Sequence, residues 1–158
     1  MRDRKVAPFL NSRFHEAWPE FSPDGRWIAY ASNKSGHHEV YVQPFPAREG
    51  KWQVSNAGGT EPPWSRNGKQ LFYRAWPDQV RVVDVQTGTG FSAGKPRLLF
   101  EQPGFWDGAP IRCWDISPDG RRFALVKLRE RTPQPVTELI LAQNWLEELK
   151  RLCPTGKN

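Results

Sequence analysis

The amino-acid sequence predicts an all-β chain made of about three repeats of a four-stranded antiparallel unit, with a short helix at its C-terminus. Three observations predict it. The 158 residues include 15 Pro and 13 Gly, a density of breakers that excludes long helices and helical bundles. Aromatic residues make up 13% of the chain, with eight Trp; such side chains need a core or an interface, which argues against disorder. Finally, one ten-residue pattern occurs three times.

The repeated pattern reads as a hairpin. Its copies are Phe21-Ser22-Pro23-Asp24-Gly25-Arg26-Trp27-Ile28-Ala29-Tyr30, Trp64-Ser65-Arg66-Asn67-Gly68-Lys69-Gln70-Leu71-Phe72-Tyr73 and Ile116-Ser117-Pro118-Asp119-Gly120-Arg121-Arg122-Phe123-Ala124-Leu125, at offsets of 43 and 52 residues. A strand ends at the apolar residue before Ser. Pro presets the backbone for a turn, Asp or Asn bonds its own backbone, and Gly takes the position of positive φ. A β-rich apolar run then returns. Asp24, Gly25, Asn67, Gly68, Asp119 and Gly120 are therefore structural turn residues. The middle copy carries Asn where the others carry Asp, and Asn cannot serve as a general acid or base.

Further strands follow each hairpin. In the first unit Trp27–Ser32 leads through a polar turn to Glu39–Pro44 and then Lys51–Ser55. The second has Gln70–Arg74, Val80–Val85 and Arg97–Gln102, and the third Ile111–Ser117, Arg122–Leu128 and Glu138–Asn144. About four strands per ~45 residues is the period of β-propeller blades. The chain thus divides into residues 1–10, a strand completing a preceding or partner blade; 11–55, 56–102 and 103–145, three blades; and 146–158, a tail. In the closing segment Trp145, Leu149 and Leu152 have helical spacing. The fold class is a partial β-propeller.

Charge and cysteine usage narrow the function. The net charge is +6, but the basic residues are dispersed; even Arg121, Arg122, Lys127, Arg129 and Arg131 are interleaved with apolar ones, as on a solvated strand. No nucleic-acid partner is expected. Cys113 and Cys153 are too few for a disulfide framework. Cys113 reads as a small buried hydrophobe and Cys153 as exposed, with their redox state open. No run of about 18 apolar residues is present, so no membrane insertion by this chain is expected, and residues 1–10 lack the apolar core of a secretion signal.

Enzyme signatures are missing: no Gly-x-Ser-x-Gly, no His-Glu-x-x-His and no phosphate-binding loop. The run Gly88-Thr89-Gly90-Phe91-Ser92-Ala93-Gly94 spaces its third Gly one position late for a dinucleotide fingerprint and lies between strands, so it reads as a loop. His37 and His38 fall in a turn without evident metal ligands nearby. No catalytic residue, metal or cofactor is expected. Binding is expected at loops bordering the mouth of the central channel: His15, Glu16 and Trp18 before the first hairpin, Thr60 and Glu61 before the second, Trp106 and Asp107 before the third. Trp27, Trp52 and Trp64 fit packing between blades, whereas Trp18, Trp76 and Trp106 fit an exposed recognition surface.

The hairpin copy Ser22-Pro23-Asp24-Gly25-Arg26-Trp27-Ile28-Ala29-Tyr30, the strand Glu39-Val40-Tyr41-Val42 and Gly58-Gly59-Thr60 leading into Trp64-Ser65 resemble TolB-like, WD-like β-propeller repeats over nearly the whole chain. More narrowly, Pro8-Phe9-Leu10, Val42-Gln43-Pro44-Phe45-Pro46, Gly50-Lys51-Trp52-Gln53-Val54-Ser55 and the closing Asn144-Trp145 are similar to the C-terminal part of propellers attached to bacterial membrane Ser/Thr protein kinases. The resemblance implies a non-catalytic sensory or interaction module with a protein or peptide partner, lying outside the cytoplasm if kinase-attached. The chain carries no Gly-rich loop, His-Arg-Asp or Asp-Phe-Gly of a kinase, and reads as a fragment or a shortened relative. An accessory propeller of a hydrolase or peptidase is the alternative. Three blades fall short of the four to eight of known rings. Two outcomes are open: an arc with unpaired, sticky ends, or a homodimer completing a six-bladed ring, with Lys5–Leu10 of each copy supplying the fourth strand of its partner's last blade.

Overall fold

The computed structural model describes residues 6–47, 49–105, 111–127 and 151–152. The described strands are β1 (Glu16–Phe21), β2 (Trp27–Ser32), β3 (Glu39–Pro44), β4 (Trp52–Gln53), β5 (Gln70–Ala75), β6 (Gln79–Gln86), β7 (Ser92–Ala93), β8 (Arg97–Glu101), β9 (Trp114–Ile116) and β10 (Phe123–Leu125). The first sheet is the antiparallel meander β1-β2-β3-β4. In the second, β5 pairs with β6, and β6 with both β7 and β8. Its innermost segment is reduced to two bridges, Thr60 to Arg74 and Trp64 to Leu71. Pro62 and Pro63 have no N–H to complete a ladder there. The third sheet shows its first two strands, β9 and β10.

The three hairpins occupy equivalent places, each joining the inner strand of its sheet to the next, with the same hydrogen bonds. The Ser N–H donates to the carbonyl five residues on (Trp27, Gln70, Arg122) at 2.9 Å in each copy, and the Gly N–H donates back to the Ser carbonyl at 2.8–2.9 Å. The Ser hydroxyl accepts from the N–H of Trp27, Gln70 or Arg122 at 2.9–3.0 Å. The side chain of Asp24, Asn67 or Asp119 accepts the N–H two residues on. Gly25, Gly68 and Gly120 have φ of 70°, 69° and 71°, the left-handed region that Gly enters without steric cost. Hydrogen bonds from the Ser22 hydroxyl and the Arg26 N–H lower the Asp24 pKa from 3.8 to about 2, and the Ser117 hydroxyl lowers that of Asp119.

Alternation along the strands sends successive side chains to opposite faces, and both faces are used. Trp27, Ala29, Val40, Val42 and Val54 of the first sheet pack on Trp64, Leu71, Tyr73, Ala75, Val83 and Val85 of the second, with Phe91 and Trp52 at the border. Burial pushes the Tyr73 phenol up to about 12. From the other face of the second sheet, Phe72, Val80 and Val82 pack with Phe105, Trp114, Phe123 and Leu125 around the third. This succession of sheets stacked face to face, each entered by the same hairpin, is the partial propeller that the repeat predicts.

Two expectations about the ends are revised or fall outside view. Residues 6–10 form no strand. Pro8 cannot donate to a ladder, and the adjacent Phe9 and Leu10 both pack on the outer face of the first sheet, against Ile28, Tyr30 and Tyr41. Within this chain the segment is a cover on that face, not a strand of a sheet. Residues 138–144, Cys153, Trp145 and Leu149 lie outside the described residues, as does the rest of the expected C-terminal helix; only Arg151 and Leu152 of it are described, in helical conformation and exposed. Cys113 is a buried free thiol.

Candidate functional site

The rim opposite the hairpin turns gathers the start of each inner strand and the loops between β2 and β3, β4 and Thr60, and β5 and β6. The sequence folds this rim tightly around one carboxylate. Glu39, 1% exposed, accepts the Ser55 hydroxyl, the Gly58 N–H at 3.0 Å and the His37 Nε2 at 2.8 Å. A buried carboxylate needs such donors to offset lost hydration. Ser55 Oγ also accepts the Val40 N–H at 2.7 Å, and the Gly59 N–H donates to the His38 carbonyl at 2.8 Å. The loop entering the second sheet is thereby fastened to the loop leaving β2.

Between these loops lies a cleft of about 470 Å³ lined by His37, His38, Gly58, Thr60, Arg74 and Trp76, with Ala57 and Gly59 at its floor. Its lining holds two imidazoles, of which His37 is bonded to Glu39, and Arg74, which is paired with Glu61. Trp76 stands at its edge, 77% exposed. The ring of His38 lies against two further groups: His15 Nδ1 is 3.0 Å from His38 Nε2, and the Trp18 ring meets His38 edge-on at 5.6 Å.

Behind the cleft runs a buried ion pair. Glu61 is fully buried; its Oε1 lies 3.6 Å from Arg74 Nη1, and its Oε2 accepts the Cys113 N–H at 2.8 Å. Arg74 donates from Nη2 to the Phe105 carbonyl at 2.9 Å and sits 4.3 Å above the Phe105 ring. One carboxylate and one guanidinium thus tie the second sheet to the third.

Trp18 and Glu61 are matched in the repeat. Each lies four residues before the hairpin Ser, each precedes a Pro, and each has φ 52°. Left-handed backbone is rare for such residues and costs on the order of 1–3 kcal/mol, held here by the surrounding strands. In β1 it falls in the irregularity between Ala17 and Glu20. The kink re-aims both side chains, Glu61 into the sheet contact and Trp18 toward His38. Trp18 also borders a smaller cavity of about 180 Å³ shared with Glu20, Glu61 and Arg112, where Arg112 Nη1 lies 3.3 Å from Glu20 Oε2.

The structure therefore sorts the residues expected at the channel mouth. His15 and Trp18 meet at His38, and Thr60 lines the cleft. Glu61 is not exposed at all but joins two sheets. Glu16 faces the opposite side of β1 from its neighbour His15; its Oε1 accepts the Ser12 hydroxyl at 2.8 Å. Trp106 and Asp107 lie outside the described residues. Sequence reasoning missed the roles of His37, His38 and Arg74. The signal for Arg74 was a single cation inside the apolar run Leu71-Phe72-Tyr73-Arg74-Ala75, which buries only with a partner. Among the described residues, no three His, Cys, Asp or Glu side chains gather as metal ligands.

No family model matches the chain, and no curated protein matches it. Among solved structures it is similar to a "putative TolB" from Agrobacterium tumefaciens, at 19% identity and a TM-score of 0.49 over 76% of this chain. The chain spans 46% of that protein's length.

Proposed function

We propose that the chain is a protein-interaction module, an arc of a β-propeller with no chemistry of its own, that takes a peptide segment of its partner into the cleft between the rims of the first two sheets. The observation that carries this reading is Trp76, 77% exposed beside a cleft whose loops are fastened through Glu39. A fastened rim with one exposed aromatic anchor suits recognition, because little freedom is lost on binding. The imidazole N–H groups of the lining suit hydrogen-bond acceptors such as carboxylates, and the indole suits a flat apolar or aromatic group to stack on it. The finer reading is that the arc forms the C-terminal part of a receptor-like Ser/Thr kinase, acting as its sensor outside the cytoplasm. It rests on the resemblance of the loops around Pro8-Phe9-Leu10 and Val42-Gln43-Pro44-Phe45-Pro46. The same reading has copies of the chain associating toward a ring of six sheets.

Selection from a displayed peptide library tests the cleft. Peptides enriched on the chain should carry acidic and aromatic residues and should bind the Trp76→Ala variant at least about tenfold more weakly. The urea midpoint of that variant should stay within the equivalent of about 0.5 kcal/mol, as for other exposed positions. Equal binding by the variant, or no enrichment, would remove the cleft from the proposal.

A further inference from the structure

We propose that the outer face of the first sheet is a docking surface for the far face of the third sheet of a second copy of this chain. The proposal rests on reading the chain as a propeller arc and adds which two faces meet.

The repeat supplies an internal standard. Aligning Ser22 with Ser65 matches Phe21 to Trp64, Ile28 to Leu71, Tyr30 to Tyr73 and Phe45 to Val85. In the second sheet these four are 8%, 0%, 1% and 5% exposed, because the first sheet covers them. In the first sheet Phe21 is 53% and Phe45 38% exposed. Ile28 and Tyr30 are closed here too, at 6% and 1%, beneath Phe9 and Leu10, so the first sheet is open at the positions of Phe21 and Phe45, where the second is closed.

What closes them in the second sheet identifies the occupant. Large side chains (Trp64, Leu71, Tyr73) receive small or branched ones (Ala29, Val40, Val42), with Trp27 beside them, from the first sheet. The described strands of the third sheet repeat part of that lining, with Arg122 in the place of Trp27. Ala124 and Val126 stand where the repeat places Ala29 and Ala31, and both are exposed, Val126 at 47%. A second copy therefore continues the stacking already present between the first two sheets.

The face is meanwhile covered in part by its own chain. Phe9 and Leu10 pack on Ile28, Tyr30 and Tyr41, and Phe9 lies 5.5 Å from Phe45 between ring centroids. This lid is loose: about 330 Å³ remains open between Phe9, Phe21, Tyr30 and Phe45. On this proposal residues 6–10 compete with the second copy for the surface.

Light scattering after size exclusion, on the full chain over a range of concentrations, tests the proposal. The mass should rise from 18.2 kDa to twice that. Phe21→Asp with Phe45→Asp, and separately Val126→Asp, should raise the concentration for half-association at least about tenfold. Mixing the two variants should recover part of the association, since one intact contact remains. Phe9→Ser with Leu10→Ser should promote it. A wild-type chain that stays single at every concentration, or an association that ignores Phe21 and Phe45, would overturn the proposal. Hydrogen exchange of β2, β3, β5 and β6 separates the failures. Protected strands in a non-associating chain count against docking alone, whereas unprotected strands count against the propeller arc.

Discussion

The contact between the first and second sheets and that between the second and third are built from the same repeat but held differently. The first has an apolar centre, with Trp27, Trp52 and Phe91 clustered at 5.5–5.7 Å between centroids, and hydrogen bonds only at its margins, such as Trp64 Nε1 to the Glu20 carbonyl and Arg26 Nη2 to the Thr87 carbonyl. The second adds the Glu61–Arg74 pair to its apolar side chains. An apolar contact gains from area and tolerates imprecise angles. A buried ion pair gains little net free energy but penalises every arrangement that separates its partners. The difference teaches that the first contact supplies adhesion, while the second fixes which loop meets which: Glu61 engages Arg74 of its own sheet and the Cys113 N–H of the next.

The largest effect should come from breaking the polar contact on one side only. Glu61→Ala leaves the Arg74 guanidinium buried beside an unanswered Cys113 N–H and should cost about 4 kcal/mol by urea unfolding. Replacing both partners, Glu61→Leu with Arg74→Met, should recover most of that loss, because two apolar side chains need no counter-charge. A double variant as unstable as the single one would show that packing, not charge, explains the site. Leu71→Ala probes the apolar contact. Leu71 is fully buried, and its removal should cost about 3 kcal/mol through lost burial and the cavity left behind. It should leave peptide binding at the cleft unchanged if the fastened rim is independent of the inter-sheet core.

The smallest effect concerns the hairpins. The Asp24 carboxyl, held at about 2 against an ordinary 3.8, adds stability above pH 4 that is lost as the pH falls toward 2. Asp24→Asn should remove that share of the acid dependence, roughly a few tenths of a kcal/mol after solvent screening, measured as the difference between urea midpoints at pH 5 and pH 2.5. Asn67 is the natural control, since the middle hairpin keeps the same hydrogen bonds without a titrating group. An unchanged acid dependence would mean that the Ser22 and Arg26 hydrogen bonds do not favour the ionised carboxyl.

What was legible in the sequence was local. The Ser-Pro-Asp-Gly turns close over six residues with bonds their own side chains supply, so their pattern reads directly. Glu39–Pro44 alternates and is bounded by turn residues, and it forms as expected. The candidate site was legible only as a region. Glu61 meets Arg74 across 13 positions and Cys113 across 52, separations that no local pattern encodes. The kinks at Trp18 and Glu61 did leave a mark, a Pro following each at the same distance from Ser22 and Ser65, but only the fold reveals that the side chains are re-aimed in different directions. The place of residues 6–10 was not legible, because their apolar content suits a strand as well as a cover on the sheet face.

The large-on-small stacking gives the arc a front and a back. Head-to-tail contacts of this kind end only where the rotation from one copy to the next closes a circle; otherwise they run on as filaments. Two fronts cannot meet as equals, since Phe21 and Phe45 would face their own kind instead of alanine and valine. On the proposed docking, the segment bearing Phe9 and Leu10 competes for each front, so that association needs a back shaped well enough to displace it.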